Sequence, residues 1–354
     1  MQQVDYILKK QVLQNKTPSV QYMIFNQDHI IHQFQSGYAD LANQIVVDEH
    51  TTFNAFSVTK TFTALAILQL EEKGKINIDN NAYEYVEEFP YPLDISIKQL
   101  MAHTAGIPNP NPLSWIHLQE EHQGFDKKGF FDQIFQKYHK VKSKPNNAFA
   151  YSNLGYVLLG QIIASVAKIS YEEYIRENIL RPLGMSRKEL GFEIVDENKH
   201  AKGYQKRLSL FNAGLFLFMN KSKFVEKPEG NWRPFKHYYV NGPSYGGLRG
   251  TPLGFYKYLQ ELLKPNCALI SDQYKALMFE ENLTNSNKST GMCLAWFRGK
   301  LLNQEYVTHA GGGGGYYCEV RIYPRKNIGS LIMYNRTGMN DRRVLDKLDK
   351  YFLK

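Results

Sequence analysis

Strand-like patterns of apolar residues occupy the two ends of the chain. β-Rich runs at 20–25 and 30–34 are separated by Asn26-Gln27-Asp28, which is typical of a hairpin turn. Near the other end, short connections separate four further runs and favour antiparallel pairing. These runs lie at 293–298, 306–308, 316–323 and 328–334.

Helical patterns fill the middle. The run from 54 to 70 is almost wholly apolar or small and ends before Gly74, which predicts a buried helix with a glycine stop. Further helices are predicted at 2–14, 96–103, 129–140, 153–168, 171–179 and 252–263.

Strands at both ends and helices between them predict an α+β fold. The termini would build one antiparallel sheet flanked by helices, with a mainly helical lobe inserted into it. We expect a single domain over 1–354, with an α/β lobe at about 1–75 and 245–354 and a helical lobe at about 76–244. A functional site is expected in the cleft between the lobes.

Composition excludes several classes of function. The 354 residues carry a formal charge of +9, but the basic residues are scattered and no aromatic nucleic-acid motif accompanies them, so no nucleic-acid partner is expected. No apolar run reaches the roughly 18 residues of a membrane span. Residues 1–14 lack the apolar core of a signal peptide, which favours the cytoplasm, or the periplasm if an upstream segment was removed.

The cysteines are Cys267, Cys293 and Cys318. Their odd number and their lack of metal-ligand spacing fit reduced thiols in a cytosolic protein. His103 has no histidine partner at metal-ligand spacing, and we interpret it as a turn or core histidine. We therefore expect neither a metal nor another cofactor.

The candidate chemistry begins with Ser57 and Lys60. Residues at i and i+3 share one helix face, so the two side chains can meet. A lysine within an apolar run is costly to bury unless it is paired or loses its proton. Beside a hydroxyl, such a lysine can activate a serine nucleophile. The alternative is that Ser57 caps the helix and Lys60 lies at the surface.

Three motifs resemble, in order and rough spacing, those of the serine β-lactamase-like family: Ser57-Val58-Thr59-Lys60, Tyr151-Ser152-Asn153 and His309-Ala310-Gly311. Two flanking segments are also similar to family segments: Leu100-Met101-Ala102-His103-Thr104-Ala105-Gly106 and Tyr245-Gly246-Gly247-Leu248. This family includes class C β-lactamases, penicillin-binding DD-peptidases, D-aminopeptidases and esterases. The resemblance covers about 19–335 and implies a β-lactamase/transpeptidase-like fold and a serine hydrolase that forms an acyl-enzyme.

The resemblance assigns roles to the motif residues. Ser57 would be the nucleophile, and Lys60 would either accept the Ser57 proton or lower the pKa of its neighbour Tyr151. An ammonium near Tyr151 would favour the phenolate and make this residue a general base. Asn153 would bind the substrate carbonyl or orient Lys60. The alternatives are a core tyrosine whose hydroxyl caps the next helix and an asparagine that serves as a helix cap.

The third motif supplies the rest of the substrate site. By resemblance, the oxyanion hole consists of the backbone N–H groups of Ser57 and Gly312. A glycine at 312 lets substrate approach the strand edge closely, and Gly311 beside it is also expected to bind substrate. The glycine run 311–315 is not a phosphate loop, because a strand-like run and no helix follows it.

His309 departs from the Lys-Thr-Gly or Lys-Ser-Gly that β-lactamases and peptidases usually carry. A neutral histidine does not grip a substrate carboxylate, which argues against penicillins and D-Ala-D-Ala peptides. The alternative is that His309 is purely structural. We therefore rank carboxylesterase or small amidase activity first, D-aminopeptidase or DD-peptidase second and β-lactamase third, on a small-molecule ester, amide or peptide. The alternative of another class is a non-catalytic or filament-forming module with this fold.

An alternative serine motif is not favoured, and the segments that shape the cleft are not interpretable from the sequence. Gly242-Pro243-Ser244-Tyr245-Gly246 matches the Gly-x-Ser-x-Gly of α/β-hydrolases, with Asp272 and His309 following, but that elbow needs a strand directly before the serine and a helix directly after. Aromatic residues within 204–239 either line the cleft or pack a loop. The segments 107–148 and 186–243 shape the cleft and do not identify the substrate, and the oligomeric state is not readable.

Overall fold

The computed structural model describes residues 1–208, 221–337 and 344–353. The helices in these ranges are α1 Gln2–Leu13, α2 Thr59–Glu72, α3 Ile97–Met101, α4 Lys127–Lys137, α5 Asn153–Ala167, α6 Tyr171–Ile175, α7 Lys221–Phe224, α8 Pro243–Gly246, α9 Pro252–Leu263, α10 Asp272–Phe279 and α11 Val344–Asp349. The strands are β1 Ser19–Asn26, β2 Ile30–Asp40, β3 Ile45–Val46, β4 Phe53–Asn54, β5 Ile116–Leu118, β6 Leu190–Gly191, β7 Tyr204–Lys206, β8 Trp232–Pro234, β9 Tyr238–Val240, β10 Arg249–Gly250, β11 Phe297–Leu301, β12 Gln304–Gly313, β13 Tyr316–Tyr323 and β14 Ile328–Tyr334.

The main sheet joins the two ends of the chain. Its strand order is β11-β12-β13-β14-β1-β2-β3, and every neighbouring pair is antiparallel. The central contact pairs β1 with β14, where Val20 lies opposite Tyr334. This arrangement confirms the α+β class and the sheet that the terminal hydrophobic runs predict.

Helices cover both faces of this sheet. On one face, α1 and α11 bury Val4, Leu8, Leu345 and Leu348 against the sheet. The opposite face supports the larger core, in which α2 is buried from Thr59 through Leu70. A helix that is apolar on all sides has to be surrounded by protein, so the serine at its start is held by a rigid element.

Several predicted boundaries are wrong for local reasons. The run at 293–298 becomes a strand only at Phe297, because Ala295 adopts a left-handed φ of +68° inside a tight turn. The predicted helix at 129–140 begins earlier, at Lys127, since the Asp126 side chain accepts a hydrogen bond from the Gly129 amide and caps it. Helices α10 and α11 have no counterpart among the predictions.

The middle of the chain carries most of the short elements. Three small sheets pair β4-β10-β6, β5-β9 and β7-β8. The first of them pairs Asn54 with Arg249, which brings the 245–250 segment against the chain just before Ser57. The lobe boundaries at 75 and 244 remain a prediction.

Among the described residues, no single helix is long and apolar enough to span a membrane, although the bent pair Asn153–Ala167 and Tyr171–Leu180 passes that test by length and composition.

Candidate active site

Ser57 lies in a 3-10 turn, Phe56–Val58, directly before α2. The preceding backbone is held by a hydrogen bond from the Ala55 amide to the Leu248 carbonyl, 2.9 Å long. Phe56 adopts a left-handed φ of +46°, an uncommon backbone state for a non-glycine residue. Such backbone outliers cluster at functional sites.

Lys60 meets Ser57 as the spacing predicts. Its Nζ atom lies 3.0 Å from Ser57 Oγ, 2.9 Å from Asn153 Oδ1 and 2.7 Å from the Tyr245 carbonyl oxygen. The side chain is completely buried, which excludes the surface-lysine alternative. Desolvation holds the pKa of Lys60 well below its usual 10.5.

The acceptors around Lys60 suit both of its protonation states. An ammonium would donate one hydrogen to each of the three oxygens. A neutral amine would donate to Asn153 Oδ1 and to the Tyr245 carbonyl, which leaves its lone pair facing Ser57 Oγ. None of these three partners is ionised, so their hydrogen bonds offset only part of the desolvation of the cation. The geometry therefore favours a lysine that can take a proton from Ser57.

Tyr151 reaches the same hydroxyl from the segment before α5. Its OH donates to Ser57 Oγ at 2.8 Å, so it does not cap the following helix. Burial raises the pKa of Tyr151 far above 10 and favours the neutral phenol in this state, and the predicted general-base role of Tyr151 stays a prediction. Lys60 Nζ lies 5.0 Å from the centre of the Tyr151 ring. Tyr151 is thus a neutral phenol that holds a proton ready for the serine oxygen.

Asn153 orients Lys60. Its Oδ1 atom accepts a hydrogen bond from Lys60 Nζ, and its backbone N–H donates to Asn109 Oδ1 at 3.1 Å. The helix cap is its neighbour Ser152, whose hydroxyl accepts from the Gly155 amide. Asn153 is therefore free of the capping role that the sequence left open.

Strand β12 brings the third motif to the serine. A Cβ atom at Gly311 would lie 2.1 Å from the Ala55 carbonyl oxygen and 2.6 Å from the Ser57 amide nitrogen, so only glycine fits there. Pairing with β11 ends at Thr308, and no other described strand covers the edge at 309–313. An open strand edge beside the nucleophile can receive a substrate. The role of the Gly312 amide in an oxyanion hole stays a prediction.

His309 lies on this strand with its side chain completely buried. Its Nδ1 atom is hydrogen-bonded to the Ala295 carbonyl oxygen, and among the described residues its Nε2 atom has no partner. Burial, with a smaller contribution from Lys60, lowers the pKa of His309 to about 3. The imidazole is neutral at physiological pH and offers no cation to a substrate carboxylate.

The Gly-x-Ser-x-Gly elbow does not form. Ser244 lies inside the four-residue helix α8 and packs against α5, where a Cβ atom at Gly160 would lie 2.4 Å from its Oγ atom. Within the described ranges, no hydrogen bond links the Ser244 side chain to Asp272 or His309.

Other predicted features lie outside the site or outside the described ranges. Part of the aromatic segment 204–239 falls in 209–220, which the structure does not describe. All three cysteines are buried and unpaired. The described residues contain no group of three or more His, Cys, Asp or Glu side chains that could hold a metal ion.

Sequence reasoning missed one partner of Lys60. The Tyr245 carbonyl oxygen accepts the shortest of the three hydrogen bonds from Nζ. A backbone carbonyl is present at every residue, so no residue type reveals it. The only signal available was the resemblance of the Tyr245-Gly246-Gly247-Leu248 segment to a family turn.

Comparisons with known proteins cover nearly the whole chain. The family model described as Beta-lactamase matches residues 4–352. Protein flp of Staphylococcus aureus (strain N315) is 25% identical over 362 residues, an alignment that covers 98% of this chain and 66% of that protein, just under two thirds of its length.

Solved structures show the same fold. The octameric penicillin-binding protein homologue from Pyrococcus abyssi superposes with a TM-score of 0.77 at 24% identity, over 99% of this chain and 77% of that one. The D-amino acid amidase from Ochrobactrum anthropi SV3, complexed with L-phenylalanine, gives a TM-score of 0.74 at 19% identity, over 98% and 95% of the two chains.

Proposed function

The chain belongs to the β-lactamase family, and from this premise we propose that it is a serine hydrolase that cleaves small esters or amides through an acyl-enzyme on Ser57. One observation carries the proposal: Ser57 Oγ lies between the Tyr151 hydroxyl at 2.8 Å and Lys60 Nζ at 3.0 Å. A nucleophile in contact with a base and a proton donor is the arrangement that acyl transfer needs.

The first step is attack by Ser57 on the substrate carbonyl. Neutral Lys60 accepts the hydroxyl proton while the Oγ–C bond forms, and the negative charge develops on the carbonyl oxygen. The backbone N–H groups of Ser57 and Gly312 would stabilise that charge. Asn153 and the Tyr245 carbonyl hold the new ammonium by hydrogen bonds.

The second step expels the leaving group. Tyr151 donates its hydroxyl proton to the departing oxygen or nitrogen and is reprotonated from the Lys60 ammonium through the departing alcohol or amine, which returns Lys60 to its neutral form. Water then attacks the acyl-enzyme while neutral Lys60 accepts its proton, and this proton passes to Ser57 Oγ as the bond between Oγ and the acyl carbon breaks. Atoms balance over the cycle, since one water enters and an acid and an alcohol or amine leave.

The neutral His309 sets the order of substrates. Without a cation on β12, a substrate with a carboxylate next to the scissile bond gains no ion pair there, unlike in relatives with lysine in this motif. We therefore rank small esters and amides above D-Ala-D-Ala-like peptides and β-lactams. The fold likeness to a D-amino acid amidase supports including amides. The cytoplasmic location stays a prediction.

The test measures hydrolysis of p-nitrophenyl acetate and of a panel of D- and L-amino acid amides, together with the intact mass after incubation with a penicillin. We expect turnover of the ester or of amides, no stable penicillin adduct, and loss of turnover in Ser57→Ala but not in Ser244→Ala. Turnover that survives Ser57→Ala would contradict the mechanism. A stable penicillin adduct would move the assignment to penicillin-binding protein. Large polymers in size-exclusion chromatography with no turnover would favour the filament-forming alternative.

A further inference from the structure

We propose that His103 is a positioning residue, which holds Tyr151 in line with Ser57. His103 follows α3 and has a left-handed φ of +56°. The turn that begins at His103 is hydrogen-bonded to the segment that leads to Tyr151. These hydrogen bonds run from the Lys142 amide to the Gly106 carbonyl (2.8 Å), the Asn146 amide to the Thr104 carbonyl (2.7 Å), the Ala150 amide to the His103 carbonyl (2.7 Å), and the Ser152 hydroxyl to the Pro108 carbonyl (3.0 Å).

His103 itself makes two contacts that flank Tyr151. Its carbonyl oxygen accepts from the amide of Ala150, the residue before Tyr151. Its Nδ1 atom accepts from the amide of Ser152, the residue after, at 3.1 Å. One residue thus fixes the backbone on both sides of the tyrosine.

The imidazole also contacts the Tyr151 side chain. The two ring centres are 4.3 Å apart and the planes are tilted by 34°. The far end of the same phenol reaches Ser57 Oγ at 2.8 Å. His103 therefore holds both the backbone around Tyr151 and the Tyr151 ring, and these two together set the position of the Tyr151 hydroxyl.

The chemistry of the contact requires a neutral histidine. Nδ1 can accept from the Ser152 amide only when it carries no hydrogen. The residue is 2% exposed, and within the described part of the chain none of its hydrogen-bond partners is a carboxylate. Burial, with smaller contributions from Lys60 and His309, holds the pKa of His103 well below 6.5. The acceptor is therefore available throughout the physiological range.

The expected effect is kinetic, because His103 acts through Tyr151. A displacement of about 1 Å at a catalytic group can lower a rate roughly 100-fold. His103→Phe keeps a ring but removes the acceptor, whereas His103→Asn supplies an acceptor near the Nδ1 position and tolerates a left-handed φ. We expect roughly a 10- to 100-fold fall in kcat with little change in KM for His103→Phe, and a smaller fall for His103→Asn.

The control is His29→Phe, at an exposed histidine in the β1–β2 turn, which should behave as wild type. The inference rests on the proposed function, so the deciding measurement is a double-mutant cycle of esterase activity. In a Tyr151→Phe background, His103→Phe should produce less than a threefold further loss. Equal fold losses in both backgrounds, or equal behaviour of the Asn and Phe variants, would overturn the positioning role.

A second readout does not depend on turnover. Hydrogen–deuterium exchange of the Ser152 backbone amide should speed up in His103→Phe, which removes the acceptor of this amide, and stay close to the wild-type rate in His103→Asn. An unchanged exchange rate in His103→Phe would reject the positioning role. If the wild-type protein showed no hydrolysis while this rate rose in His103→Phe, the proposed function would fail and the positioning role would stand.

Discussion

Two fully buried basic side chains, Lys60 and Arg321, lie on opposite sides of the main sheet, and their partners differ in charge. Lys60 faces a hydroxyl, an amide oxygen and a backbone carbonyl, all of them neutral. Arg321, on β13, faces three carboxylates: Glu319 at 2.9 Å, Asp346 at 2.6 Å and Asp349 at 3.7 Å. Both side chains are buried, but the charge of their partners differs, and so does their intrinsic basicity, with a usual pKa of 10.5 for lysine and a higher one for arginine.

The partners decide what each cation does. Carboxylates outweigh desolvation at Arg321 and raise its pKa, so the guanidinium stays charged and ties β13 to the C-terminal helix α11. Without such partners, desolvation lowers the pKa of Lys60 and favours the unprotonated amine, which can accept a proton. A buried cation among neutral acceptors thus indicates chemistry, and one among carboxylates indicates architecture.

The largest expected effect is on activity, at Lys60. Lys60→Met removes the proton acceptor and should lower kcat/KM by roughly 10³-fold. Because Lys60 has no carboxylate partner among the described residues, the variant leaves no buried charge unpaired, so its thermal midpoint should fall far less than that of Arg321→Met. Esterase assays and thermal unfolding measure the two effects, and Lys144→Met, at an exposed lysine, is the matched control. A large loss of stability in Lys60→Met would make Lys60 a structural residue like Arg321.

The second effect is on stability, at Arg321. Arg321→Met leaves Glu319 and Asp349 buried without their counter-ion and should lower the free energy of unfolding by about 3–5 kcal/mol. Activity per folded molecule should change by less than a factor of about three, because no catalytic group is touched. Urea denaturation and an assay corrected for the folded fraction measure both quantities. A large fall in activity per folded molecule of Arg321→Met, or an unchanged free energy of unfolding, would remove the contrast with Lys60.

The smallest effect is the pH dependence of stability. Burial raises the pKa of Glu319 from 4.5 to about 7 in the folded protein, despite the opposing effect of Arg321. Between these values the unfolded chain binds fewer protons than the folded one, so the contribution of Glu319 is present below pH 4.5 and is lost as the pH rises to 7. Its size should be on the order of 1–3 kcal/mol.

Glu319→Gln removes this titration. We expect urea midpoints of wild type to fall more steeply than those of the variant between pH 5 and 7. Parallel curves would show that the carboxylate is ionised in the folded protein and that the cluster is fully ion-paired.

The sequence predicts the fold better than the site. Runs at 316–323 and 328–334 coincide with β13 and β14 because their apolar residues are buried on both faces. The spacing of Ser57 and Lys60 likewise predicts their contact. The desolvation that raises the pKa of Tyr151 comes from segments distant in the chain, and no local pattern of the sequence reveals it. The buried state of Arg321 also depends on residues from two elements far apart in the chain.

Lys60 activates Ser57 because burial among neutral partners keeps its amine unprotonated and able to accept the serine proton. The most direct test is the rate of fluorophosphonate labelling as a function of pH, with the modified residue located by peptide mass spectrometry. We expect a single adduct on Ser57, which forms at a rate that rises with pH through an ionisation well below 10.5, and this ionisation should be absent in Lys60→Met. An adduct on Ser244, or the same pH dependence in Lys60→Met and wild type, would contradict this role of Lys60.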